Sequence, residues 1–176
     1  MVNQKTRISL LGLSFLLLLL VSSVSNTVFM NSLGTLYQNQ ILVFSMIFMN
    51  NVIVISLITI GMNFYVKLVA FGFFKNEKYS TVIIDNPRTF ALIFSFIVLL
   101  FGVLRGVNHF FGKITIELLP KMFLLNAPIE LIEMYGVYLA IKKTLNRTLT
   151  LRNLFYIFGI FTIAAIIEVG MIILLN

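Results

Sequence analysis

Five apolar runs, at about 8–30, 41–62, 90–106, 122–141 and 154–175, occupy most of this 176-residue chain. A helix rises 1.5 Å per residue, so about 20 apolar residues cross the roughly 30 Å of hydrocarbon in a bilayer. In hydrocarbon the backbone has no water to bond to, and a helix satisfies its own N–H and C=O groups within one segment. The runs therefore predict an all-α fold: a polytopic membrane helical bundle of about five transmembrane helices. Composition agrees, with 60% hydrophobic residues, 11% charged residues and a mean hydropathy of +1.04. Soluble domains carry about 25% charged residues. Residues 1–176 are read as a single integral membrane domain, because the runs leave no space for a separate soluble one.

Orientation follows from Lys and Arg, which are retained on the inner side of a membrane. With the N-terminus inside, Lys5, Arg7, Lys67, Lys75, Lys78, Arg88, Lys142, Lys143, Arg147 and Arg152 face inward. Arg105, Lys113 and Lys121 face outward. Ten against three gives an inside N-terminus, an outside C-terminus and a multipass protein of the cell membrane. The net charge of +7 is thereby explained as topology signals, without nucleic acid as a partner. Lipid binding by the basic stretch 142–152 ranks lowest among the readings, since four cations there are ordinary topology signals.

The first run, preceded by Lys5 and Arg7, has the look of a secretory signal but is read as a retained span. Residues 63–74, apolar but interrupted by Lys67, read as an interfacial helix or as a continuation of the second span, with a re-entrant element as the alternative. Residues 108–119 read as a second short interfacial helix, and Asn86 before Pro87 marks a turn.

Glu130 and Glu133 lie inside the fourth run, where an ionisable side chain costs about 3 kcal/mol even on lenient insertion scales. Asn126, Glu130 and Glu133, spaced by four and three, share one helix face, and Pro128 among them withholds a bond from the Leu124 carbonyl. Helical rise puts Glu130 roughly 12 Å and Glu133 roughly 16 Å below the outer end of their span. Glu168 comes out roughly 10 Å deep, and Asn50 and Asn51 roughly 14 Å. Polar groups from three spans thus converge on one layer in the outer half of the membrane, with Arg105 as the nearby cation. Two readings stay open. The layer is either structural, a set of interhelical hydrogen bonds holding the bundle, or a site for a cation, a proton or a ligand.

The weaker motifs concern packing. Gly102 and Gly106 form a GxxxG that permits close helix approach, and Gly136 and Ala140 continue the glutamate face with small residues. Tyr135, Tyr138 and Tyr156 read as interfacial or packing residues, and His109 as an exposed side chain. The chain has no cysteine and a single histidine, which excludes thiol chemistry and a bis-His haem within this chain. No metal site, cofactor or catalytic constellation is expected: an intramembrane aspartyl protease needs Asp in its spans, and the only Asp is Asp85.

The order of these motifs resembles the stage II sporulation protein M family of multipass membrane proteins. That family is similar in having a second span that begins near a paired Asn, a third with an NGxxxG-like pattern, and a fourth opening on a PHGxxE-like pattern followed by small residues. The corresponding residues are Asn50-Asn51, Phe101-Gly102 to Gly106, and Pro128-Ile-Glu-Leu-Ile-Glu133. Phe101 departs from the third pattern, Ile129 and Glu130 depart from the fourth, and residues 63–88 look like an insertion. The resemblance implies an integral membrane protein without known catalysis. In spore formers such proteins act in a membrane complex beside peptidoglycan-degrading partners, a role that need not extend to this chain. The resulting expectation is a non-enzymatic subunit or scaffold, partnered by the lipid bilayer and by other membrane subunits or copies of itself. Its competitor is a small cation- or proton-coupled transporter or channel using Glu130, Glu133 and Glu168.

Overall fold

The computed structural model describes residues 39–72, 82–111 and 119–175, and every regular element among them is α-helical. The elements are α1 (Gln40–Ala70), α2 (Val82–Asp85), α3 (Pro87–Phe111), α4 (Leu119–Leu145) and α5 (Leu151–Leu175). The expected first span lies outside the described residues. Contacts divide the chain into two units, Met1–Met46 and Ile47–Asn176, with the division falling within α1.

The helix ends follow from local chemistry. Asn39 caps α1, its Oδ1 accepting the Leu42 N–H at 3.2 Å. Asn86 bends the chain as expected, and Pro87 begins α3, where its missing N–H costs nothing. At the end of α4 the Thr148 N–H reaches the Lys143 carbonyl at 2.9 Å and the Arg147 N–H reaches that of Thr144 at 3.0 Å. Together with the positive φ of 57° at Arg147, this is a Schellman stop. Thr150 then caps α5 through the Asn153 N–H at 3.3 Å, and Asn153 Nδ2 donates to the Thr148 carbonyl at 2.9 Å. The connection from α4 to α5 is a tight, internally bonded turn, so the two helices are antiparallel neighbours.

One short segment takes one of its expected forms and another departs from expectation. Residues 63–70 continue α1, which is one of the two forms expected for 63–74; residues 73–74 lie outside the described residues. Of the stretch expected to form a separate interfacial helix at 108–119, residues 108–111 belong to α3 and Leu119 opens α4. Residues 112–118 lie outside the described residues. The physical reason is cooperativity: adding residues to an existing helix forms one bond each, whereas a new short helix needs its own costly nucleus.

Within the larger unit α4 packs on α3 and on α5. Ala91, Ser95 and Leu99 form a buried stripe on α3 that leads to Gly102, while Val137, Ala140, Ile141 and Leu145 are buried on α4. Ile157, Phe161, Ala164 and Ala165 are buried on α5. Ala91, Ser95, Ala140, Ala164 and Ala165 set small residues among the larger ones of these seams, which lets the helices approach closely. The opposite faces are apolar too. Leu92, Ile93, Phe96, Ile97 and Leu100 of α3 are exposed, as are Phe155, Ile163, Ile166 and Leu174 of α5. α1 and residues 151–174 of α5 are each long and apolar enough to cross a membrane.

Candidate functional site: two carboxylates between three helices

α4 carries both glutamates, and the rotation of 100° per residue sends them to different neighbours. Glu133 is half-buried and turns toward α1, where Asn51 Nδ2 donates to its Oε1 at 2.7 Å. Asn51 is itself buried, with 7% of its surface exposed. A short bond from an amide to a carboxylate, made across 82 positions of sequence, pins α1 to α4 at this level.

Glu130 takes the other direction. It is 6% exposed, and its carboxyl group lies against the backbone of Gly102 on α3. A Cβ built on Gly102 would stand 2.5 Å from Glu130 Cδ and closer still to Oε2. Only a residue without a side chain leaves that volume to the carboxyl. The GxxxG therefore has a different use at its first position from the one the sequence pointed to: Gly102 admits a buried acid from α4. Pro128 is carried within α4 without ending it, one turn from Glu130 and Glu133.

The seam between α4 and α5 has its own close approach. A Cβ on Gly136 would fall 2.8 Å from Phe161 Cε2 and 3.0 Å from Cζ, so one edge of the ring fills the gap this glycine leaves. Ala140 is 1% exposed and its carbonyl accepts the Thr144 hydroxyl at 2.7 Å. Phe161 was not visible in the sequence as a partner, because an aromatic in an apolar run carries no positional signal.

These contacts fix a register. α4 and α5 are antiparallel with Gly136 beside Phe161, so equal rise along both helices brings Glu168 about level with Ile129 and Glu130. Glu168 is half-buried there. Asn50 is buried beside Asn51 on α1. Of the expected layer, Asn51 is bonded to Glu133, Glu130 is seated on Gly102, and Glu168 comes about level with Glu130. Gly106 lies on α3, and Arg105 of α3 and Asn126 of α4 have described backbones while their side chains lie outside what is described. No group of three or more His, Cys, Asp or Glu able to hold a metal occurs among the described residues.

The same register separates the charges. From the Asn51–Glu133 level, sixteen residues along α1 reach Lys67, about 24 Å away, and twelve along α4 reach its end at Leu145, about 18 Å away. From Gly102 beside Glu130, the antiparallel course of α3 brings Arg88 about level with Thr144. Lys67, Arg88, Lys142, Lys143, Arg147 and Arg152 therefore gather at one end of the helices and the glutamates lie toward the other. No protein-family model matches this chain, and no curated protein or solved structure matches it.

Proposed function

We propose that this chain is a multipass protein of the cell membrane, with about five spans, N-terminus inside and C-terminus outside, serving as a non-enzymatic subunit or scaffold of a membrane complex. The observation that carries the reading is the use of Glu133: its carboxylate bonds Asn51 across two helices and so holds the bundle. Polar groups inside a membrane are retained where such bonds form, at about 0.6 kcal/mol each on average. The exposed apolar faces of α1, α3 and α5 support insertion, since soluble proteins rarely present apolar patches beyond a few hundred Å². Asn51 and Glu133 are also two of the positions through which the chain resembles the stage II sporulation protein M family, so their bond supports that kinship as part of the proposal. Reporter fusions at the two termini and purification in mild detergent test it. Opposite-side reporters and a co-purifying partner or self-association are expected; a lone monomer would overturn the scaffold role.

A second reading has one observation in its favour, the burial of the Glu130 carboxyl at membrane depth. Such a group serves a small cation- or proton-coupled transporter as readily as a packing seam. Flux in reconstituted vesicles that is unchanged by Glu130→Gln and Glu133→Gln excludes this use.

A further inference from the structure

Between α1, α4 and α5 lies a half-open groove of about 200 Å³. Its floor is Ile55, Ile157 and Ala140, all buried, and Ile60 stands at its rim with 65% of its surface exposed. Ser56 and Thr59 contribute the only hydroxyls among its lining residues. Leu149 and Leu154, from the two ends of the α4–α5 turn, close it at the end where the cations gather. The turn itself carries Arg147, and Lys142, Lys143 and Arg152 flank it within one helical turn or so. Its backbone is locked by the Schellman bonds and the Thr150 cap, so these cations are mounted on an ordered support. Lys142 lies with its Nζ 5.4 Å from the ring centre of Tyr138, which holds its stem along α4. Asp85 is the one acid among the described residues at this end, against six cations.

An apolar slot that ends beneath a fixed cluster of positive charge matches a molecule with a hydrocarbon tail and an anionic head. We propose that this groove is a binding site for one acyl chain of an anionic phospholipid. The chain lies along Ile55, Ser56 and Thr59 against Ile157 and Phe158, and its phosphate is held by Lys143, Arg147 and Arg152. The inference rests on the membrane reading above, because the basic end must lie at the lipid headgroups. It goes beyond that reading by naming a ligand class and the residues that select it. Charge supplies the choice of head, and basic residues at a membrane surface each change affinity for anionic lipid about fivefold. The groove supplies the position, which a loose basic tail would not.

The test uses the full chain in phosphatidylcholine nanodiscs containing a minor fraction of photoactivatable phosphatidylglycerol, with photoactivatable phosphatidylcholine as the control. Crosslinking by the anionic lipid is expected at peptides containing Ser56 to Ile60 and Leu154 to Phe158, in excess over the neutral lipid. Thr59→Phe, which fills the groove, should lower it about tenfold. Lys143→Gln with Arg152→Gln should cut the preference for the anionic head by about fivefold per charge while groove labelling by the neutral lipid persists. Circular dichroism in detergent verifies that each variant keeps its helices, and the charge variants stand as an independent test if the filled groove misfolds. Equal labelling by both lipids, or labelling indifferent to Thr59→Phe in a folded variant, overturns the proposal. Displacement by soluble glycerol phosphate would likewise overturn the role of the acyl chain. Alkaline carbonate extraction of cells separates the two levels of failure. Release of the chain from membranes defeats the membrane reading itself, whereas retention without anionic preference defeats the lipid site alone.

Discussion

Placing a methyl group at Gly102 interrogates the seat of Glu130 directly. Ordinary contact for a Cβ is 3.4–4 Å, and the Glu130 Cδ stands 2.5 Å from where that Cβ would be, so the carboxyl must retreat by about an ångström or leave. Overpacking of this kind costs about 1–3 kcal/mol. Alanine is meanwhile a better helix former than glycine by about 1 kcal/mol, which offsets part of the loss. Gly102→Ala is therefore expected to destabilise the protein by up to about 2 kcal/mol. With Glu130→Ala the obstructing group is gone, and the same substitution should become neutral or stabilising by up to about 1 kcal/mol. Glu130→Gln keeps the shape and removes the charge, so in that background Gly102→Ala should stay destabilising. Denaturation in mixed micelles of sodium dodecyl sulfate, followed by circular dichroism, gives the four free energies of each cycle. Sites in contact depart from additivity by 0.5–3 kcal/mol, and additivity within about 0.5 kcal/mol in the Ala cycle would refute the packing of Glu130 on Gly102.

Other outcomes follow from the same geometry. A double-mutant cycle of Asn51→Ala and Glu133→Ala should show a coupling of about 0.6–1.7 kcal/mol in micelle denaturation, and zero coupling would contradict the bridge between α1 and α4. Glu133→Gln keeps a carbonyl acceptor for Asn51 and should stay within about 1 kcal/mol of the parent in the same assay. Gly136→Ala sets a Cβ against the Phe161 ring and should cost about 1–3 kcal/mol, relieved when Phe161 is replaced by Leu. Arg147 holds a positive φ, so Arg147→Gly should raise stability by up to about 1 kcal/mol, read as a higher melting temperature in detergent.

The helical class and the turn at Asn86-Pro87 are legible because each rests on local pattern along the chain. Rise per residue is constant, so depth could be counted, and Asn51 and Glu133 were expected at similar depths before any contact was known. Helix continuity was less legible. The polar and aromatic residues at 108–111 read as the start of a separate helix, yet they contain no proline and extend one already nucleated, while 63–70 leave continuation and a separate helix equally open.

What the sequence alone determined, then, is the level and the chemistry of each group: helices of apolar residues, two carboxylates three positions apart, cations grouped beyond the apolar runs. Azimuth, the direction in which each side chain meets its neighbour, comes from the packing of the helices. Glu130 and Glu133 differ by about 60° around α4, seen along its axis, too small an angle to separate them by pattern but enough to aim one at Gly102 and the other at Asn51. The pairing of helices sets those directions, and in an almost uniformly apolar chain no stripe of hydrophobicity announces it. Small residues are scattered among large ones along the seams, and which faces which becomes definite only when the helices close on one another.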